Sequence, residues 1–363
     1  MPACALAAAG CLVSMGATMQ ANAQELRVGT DTSYIEVYGQ LDKAFLYYDD
    51  GQQQKFYPLV DNDSSSSRFG VRAYQLRDNG VAIGANAEFE WEPYSTDYVN
   101  LLTAHDVDIA DLSLRKAEIY LSHDAFGKLW VGRGSMASDN TSEVDLSGTT
   151  LAGYASVGDI AGAQLFRLTN GTLSGIEIYD AFSDLDGLGR KTRVRYDTPN
   201  FDGFSFGTSV DINGDWDAAL NYEKELGDFS VAAAAAYSYN QNNSAGLTNG
   251  SLSVLHNPTG ISVTLAAGDT PHESGMPEFV YGKLGYQAQW FQYGKTYFSI
   301  DAYSGHYFNT SGSESKSYGF AMVQDVDDWR TQYYLGVRQY QYDDPGASYE
   351  NGLAVILGAR VKF

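Results

Sequence analysis

Two stretches of the chain set a cation at every second residue. In Ser67–Ala73, SRFGVRA, residues Arg68, Gly70 and Arg72 share one side of an extended backbone, and Phe69, Val71 and Ala73 take the other. In RKTRVRYD, Lys191, Arg193 and Arg195 alternate with Thr192, Val194 and Tyr196 in the same way. Acids collect elsewhere: Asp139, Glu143, Asp145 and Asp159 stand in a stretch without Lys or Arg between Arg133 and Arg167. Set across a water-filled gap, a cationic wall and an acidic loop make a transverse field that orients water and dipolar solutes and disfavours large apolar ones. Glu143 and Asp145 are the first acids expected there. Arg72, Lys191 and Arg195 are expected at the same wall, above or below its narrowest ring.

Other chemistry finds little support. Gly203–Gly207 matches G-x-S-x-G, but that motif needs a strand, a sharp turn and a helix, and Ser205 stands inside an alternating run. His105, His123, His256, His272 and His306 have no metal-ligand spacing. Asp211, Asn213, Asp215 and Asp217 imitate a calcium loop, yet the glycine is misplaced and no closing Glu follows, so a polar turn is expected. No cofactor and no resident metal are expected, and the chain reads as a non-enzyme.

Such side chains need a scaffold that alternates. The 363 residues carry 23 Lys+Arg against 45 Asp+Glu, a formal charge of −22, which argues against a nucleic-acid partner. At 44% hydrophobic and 13% aromatic the chain is too apolar for disorder, and 38 Gly and 27 Tyr beside 8 Pro suit β-structure. The two-residue period recurs almost everywhere. Phe204, Phe206, Thr208, Val210 and Ile212 oppose Ser205, Gly207, Ser209 and Asp211, and Trp329, Tyr333, Leu335 and Val337 oppose Arg330, Gln332 and Arg338. About sixteen such segments can be counted. Short connections (77–80, 123–127, 198–203, 225–228) alternate with long polar ones (49–63, 92–111, 135–187). No stretch approaches the roughly 20 apolar residues of a membrane helix. A chain that spans a bilayer by strands must close them, because unpaired backbone groups are intolerable in lipid. The expected fold is all-β: one transmembrane antiparallel β-barrel of about 16 strands over residues 24–363. Each arginine left in lipid at mid-depth would cost about 2–4 kcal/mol, so the cationic face must turn inward. Tyr38, Tyr47, Tyr48, Tyr333 and Tyr340 lie near strand ends, where headgroup-level rings are expected.

Residues 1–23 read as a signal peptide with an A-x-A end at Ala21-Asn22-Ala23, although no Lys or Arg stands before the apolar core; a lipoprotein reading through Cys11 is the lesser alternative. Cys4 and Cys11 both fall within that segment, so the exported chain is expected to lack thiols. The terminal NGLAVILGARVKF is patterned as a strand to its last residue, with Leu353, Val355, Leu357, Ala359, Val361 and Phe363 on one side. Ala354 and Ile356, which would face inward, are less polar than a wet wall requires.

Five stretches resemble the general porins of Gram-negative bacteria in family order. IEVYGQLDKAFLYY is similar to their first strand, SSSSRFGVRAYQLRDNG to the second, and LRKAEIYLSHDAFGKLWVGRG to the paired strands before the long third loop. RVRYDTPNFDGFSFG resembles a porin hairpin, and GARVKF the closing strand with its final Phe. The resemblance implies a homotrimeric, 16-stranded channel integral to the bacterial outer membrane, among its lipid and lipopolysaccharide, with the third loop folded into the lumen. It implies passive diffusion of small hydrophilic solutes and ions, places Arg115 on the basic wall, and makes Phe363 the signal read by the barrel-insertion machinery. The chain departs from the pattern at Gln40, where many relatives carry a base, and at 164–187, which either extends the loop or adds a small element. The rival readings are a substrate-preferring channel for sugars or anions with Tyr154 or Tyr179 as stacking surfaces, an outer-membrane barrel enzyme such as a lipase, and a soluble or adhesive β-protein. The acidity favours weak cation preference.

Overall fold

The computed structural model describes residues 26–102, 112–241, 245–270 and 276–363. The signal-peptide segment 1–23 lies outside the described residues, as do His105 and His272. A first strand, β1 (Leu26–Thr30), folds back on β2 (Ser33–Asp49), which a short β3 (Gln54–Val60) follows. The wall then runs through β4 (Arg68–Leu76), β5 (Ala82–Trp91), β6 (Leu112–His123) and β7 (Gly127–Ser135). A small two-stranded sheet interrupts it, β8 (Leu165–Arg167) with β9 (Leu173–Glu177), followed by one helical turn, Ile178–Ala181. The wall resumes with β10 (Arg190–Asp197), β11 (Phe204–Asp211), β12 (Trp216–Leu226), β13 (Phe229–Asn240), β14 (Ala245–His256) and β15 (Ile261–Asp269). It ends with β16 (Glu278–Phe291), β17 (Gly294–His306), β18 (Glu314–Val326), β19 (Thr331–Asp344), the two-residue β20 (Ala347–Ser348) and β21 (Gly352–Lys362).

Sixteen of these strands close an antiparallel barrel. Closure rests on β2, whose first half pairs with β4 (Gln40 opposite Arg68) and whose second half pairs with β21 (Asp49 opposite Leu353). Every wall strand thus has two neighbours, which leaves no unpaired edge in lipid. The connections at one end are tight. Leu226 pairs directly with Phe229, and Gly227 turns the corner at φ +62°, a conformation that glycine adopts without a side-chain clash.

The two faces of the sheet separate as the alternation requires. Phe204, Phe206, Val210, Leu265 and Ile300 are exposed on one face, while Ser209, Asp211, Arg193, Thr264 and Asp301 are buried on the other. A soluble sandwich would reverse this: its apolar face would be hidden. The tyrosine expectation holds only partly. Tyr333 is exposed on the apolar face, but Tyr48 and Tyr340 are buried inside the barrel and the Tyr38 hydroxyl donates to Glu88 at 2.8 Å. These three share the parity of inward residues, which outweighs their position near a strand end.

The interior holds a core. Ala354 and Ile356, both fully buried, meet Leu151, Ala152, Val157 and Ile160 from the segment after β7. A Cβ on Gly336 would come within 2.9 Å of the Ala152 carbonyl oxygen, so the chain presses directly on the wall there. The low polarity of Ala354 and Ile356 therefore has a cause: they are a seat for chain, not a wet surface.

Candidate functional site: a charged constriction

The segment 136–189 is placed by side chains of many strands. Ala137 N donates to Ser209 Oγ (2.9 Å) on β11, and Ser138 N to Asp217 Oδ2 (2.8 Å) on β12. Val144 N and Leu146 N donate to Ser251 Oγ and Ser253 Oγ on β14, each at 2.9 Å. Lys283 Nζ on β16 pairs with Asp145 Oδ2 at 2.6 Å and donates to the Gly153 carbonyl. Tyr340 on β19 donates to the Val157 carbonyl at 2.7 Å, and Tyr303 on β17 to that of Ser183 at 2.7 Å. Only a segment inside the cylinder can reach strands so far apart on the same buried face.

One edge of this segment, with its Asp139, Asn140, Glu143, Thr150, Tyr154 and Asp186, faces Asp63–Ser66, Arg68, Glu90, Arg115 and Arg190 across a polar cavity of about 520 Å³. The cavity is thus bounded by the wall on β4, β5, β6 and the start of β10 and by the inserted segment. Arg115 sits at a β-bulge, where pairing shifts between Glu88 and Phe89. The bulge lets its guanidinium reach Glu88 (3.0 Å) and Glu90 together. Arg68 donates to Ser66 Oγ at 3.4 Å and forms no ion pair among the described residues.

The expected site residues divide. Arg68, Arg115, Asp139 and Glu143 meet at the cavity. Arg72 lies outside it, over the Tyr38 ring at 4.0 Å and 3.7 Å from Glu36. Arg193 is buried against Glu118 at 2.7 Å, Lys191 is held by Asp215 and Asp211, and Arg195 by Asp197 at 2.9 Å and the Met136 carbonyl at 2.7 Å. Asp145 is consumed by Lys283. Asp159 is buried within the loop itself, where it accepts hydrogen bonds from Ser156 (2.5 Å), Tyr179 (2.9 Å) and Tyr154. Phe363 is exposed at the barrel seam, its backbone exchanging two 3.0 Å hydrogen bonds with Gly39.

Sequence reasoning missed Arg190, Asp186, Glu90 and Asp63 at this cavity. Arg190 has the parity of the outward-facing Val194, but it begins its strand, where the pleat no longer dictates direction. The Asp186 carboxylate is turned inward by the amides of Asn140 (2.8 Å) and Ser142.

Glu143, Asp184 and Asp186 bring oxygen atoms within 4.8 Å of one another, near enough to share a proton or a cation. Burial, then the neighbouring Asp184 and Asp186 carboxylates, hold Glu143 well above the usual carboxylate range. Burial, with Asp186 beside it, pushes Asp184 up to about 6. Asp186 is pushed up to about 6, also by burial first. Asp184 and Asp186 therefore change charge near pH 6.

Two rival motifs dissolve on inspection. Ser205 is the second residue of β11, and β12, not a helix, follows that strand. In Asp211–Asp217 the Asp211 carboxylate accepts the Asn213 and Asp215 amides, and Asp217 anchors Ser138 and Ser209. It is a polar turn that also fastens the loop.

A family model for Gram-negative porins matches residues 3–345. Among solved structures, the chain is similar to the anion-selective porin from Comamonas acidovorans (18% identity over 91% of this chain and 100% of that one, TM-score 0.64). It is similar to OmpF of Salmonella typhi in complex with daunomycin (14% identity, 93% and 100% coverage, TM-score 0.61). It also resembles the trimer form of OmpT of Vibrio cholerae (14% identity, 92% and 100% coverage, TM-score 0.56). No curated protein matches in sequence. The family and fold imply a channel rather than an enzyme. A closed wall with an apolar exterior, matched along nearly its whole length to one family, settles the assignment: the chain belongs to the Gram-negative porins and is an integral outer-membrane channel protein.

Proposed function

We propose that permeation through this porin is governed by the charged cavity between the wall and the inserted loop. Small hydrophilic solutes and ions cross there by passive diffusion, with Arg68, Arg115 and Arg190 on one side and Asp139, Glu143 and Asp186 on the other. The observation that supports this reading is the joint lining of one polar cavity by those residues. Three arginines there stand against five acids, counting Asp63 and Glu90, and Arg115 is already shared between Glu88 and Glu90. The balance favours weak cation preference, strengthened at the mouths by the chain's −22 charge. The similarity to an anion-selective porin, at 18% identity, bears on the fold. Arg72, Lys191, Arg193 and Arg195 take a supporting role in this account: each is matched to an acid and shapes the wall rather than the field. Asp145 and Asp159 likewise hold the loop.

A sugar or anion track is less favoured, because the Tyr179 hydroxyl is committed to Asp63 (2.5 Å) and Asp159, which leaves Tyr154 alone at the cavity. The assembly we propose is a homotrimer, in keeping with the trimer form among the similar structures. Export through residues 1–23 and recognition of Phe363 by the insertion machinery complete the reading. Conductance and reversal potential of the purified channel in planar bilayers test it. An ohmic, non-saturating pore with mild cation preference is expected; saturable block by one sugar or anion would replace this reading with a substrate-preferring channel.

A further inference from the structure

The segment 164–178 leaves and rejoins the inserted loop at adjacent points: Ile178 N donates to the Gln164 carbonyl at 3.0 Å, and Tyr179 N to that of Gly162 at 3.0 Å. Between these points stands the β8–β9 hairpin, a self-contained insertion whose tip, Thr169–Asn170, is exposed. Its inner strand, Leu165–Arg167, is entirely buried.

Three kinds of bond hold it. Arg167 reaches Asp50 in the turn after β2, with Nη2 and Nε at 2.7 and 2.9 Å from one carboxylate oxygen; the two side chains are 7% and 0% exposed. Asp50 also accepts the amides of Gln52 and Gln53, and Arg167 donates to the Gly171 carbonyl. Along the backbone, Thr169 N donates to the Ser348 carbonyl (3.0 Å) and Glu350 N to that of Arg167 (2.8 Å), so the hairpin joins the turn between β19 and β21. Phe166 packs among Phe182, Tyr342 and Tyr349 with centroids 5.5–6.4 Å away. A buried ion pair whose other carboxylate oxygen is held by two backbone amides belongs to a fixed part, not a swinging one.

Asp50, Tyr342, Ser348, Tyr349 and Glu350 lie at the long-loop end of three adjacent strands, β19, β21 and β2. Below them the wall turns Leu46, Tyr48, Tyr340 and Ile356 inward, all buried. Aromatic side chains left without water on the inner wall mean that this sector of the barrel is dry. The charged cavity lies instead along β4, β5 and β6.

We propose that residues 165–177 are a permanent filler that seals the β19–β21–β2 sector of the mouth. They thereby set the upper size of permeating solutes separately from the charged ring. This rests on the channel assignment, not on the ring's role in selectivity. The test replaces Leu165–Glu177 with two glycines, which the adjacent ends permit. Single-channel conductance, swelling of proteoliposomes in a graded series of sugars, and reversal potential are then compared with the native channel. Conductance should rise at least roughly 1.5-fold and larger sugars should enter, with ion preference little changed. A folded variant with native conductance and size limit overturns the proposal; so does one in which ion preference alone moves. If the excised chain does not form a heat-modifiable barrel, Thr169→Cys with Ser348→Cys decides. Cross-linked and reduced channels should conduct alike, since the filler is fixed; a conductance change of roughly 1.5-fold or more on cross-linking would show a moving lid and overturn it.

Discussion

The loop has two sides that use charge in opposite ways. Towards β16–β21 two ion pairs are hidden and matched: Lys283 with Asp145 (0% and 2% exposed) and Arg338 with Asp301 (1% and 0%), amid apolar contacts to Ala354 and Ile356. Towards β4–β6, Arg68 has no carboxylate pair and Glu143 no cation among the described residues, although both line a polar cavity. Matched, dehydrated pairs fix position; they act poorly on a passing ion, because their fields cancel at short range. Unmatched groups at a wet surface cannot hold a fold together, but their fields reach the solute. The dry side therefore places the loop, and the wet side sets what passes.

The largest effects are expected on the dry side. Lys283→Met leaves Asp145 buried and unpaired, a loss of about 3–5 kcal/mol. It should lower the thermal unfolding temperature and make the open-channel current noisy, whereas Lys283→Met with Asp145→Leu should restore most of both. Ile356→Ala opens a void beneath the loop and should cost on the order of 3 kcal/mol, read by the same melting measurement. Leu353→Ala, exposed three residues earlier, should cost much less.

Wet-side changes should spare stability and move selectivity. Arg68→Ala should raise cation preference, and Glu143→Gln lower it, by roughly two- to fivefold each in permeability ratio, as expected for one charge a few ångströms from the path. pH gives the same effect without mutation. Asp184 and Asp186 are held near 6, and Glu143 above the usual range, by burial. As pH falls from 8 to 5 Asp184 and Asp186 take up protons and lose negative charge, so cation preference should fall through pH 6 in reversal-potential measurements. The linkage to stability has the matching sign. Carboxyl groups raised in the folded state favour folding most below their ordinary values, and that contribution is lost as pH rises through about 6. The loop should thus be held more firmly at pH 5 than at pH 8. The smallest effect belongs to Arg72→Ala: its 3.7 Å pair with Glu36 is half-exposed, so stability should change by less than about 1 kcal/mol, with little change in reversal potential.

The wall was legible because a two-residue period leaves little freedom. Arg68 on one face and Phe69 on the other follow from backbone pleating, as do the outward Phe204 and Phe206. The loop was legible only by composition. A run of acids without Lys or Arg announces a negative surface, but it does not say which acid meets a cation. Asp145 was spent on Lys283, 138 residues away, a pairing that no local pattern reveals. Arg193 shows the same limit from the wall: its parity is inward, yet Glu118 takes its charge. Arg190 escaped because parity fails at a strand's first residue. The hairpin at 165–177 was visible only as excess length, since β8 is three residues long and its stability comes from distant partners such as Asp50 and Tyr342.

Unmatched charges on the wet side set selectivity, and one measurement reads this without intermediaries. It is the reversal potential across a potassium chloride gradient at pH 8, for the native channel and for Glu143→Gln with Asp186→Asn. The account predicts mild cation preference in the native channel and a clear shift towards anions in the variant, with barrel stability unchanged or raised. A native channel strongly selective for anions, or a folded variant with the native reversal potential, would contradict it.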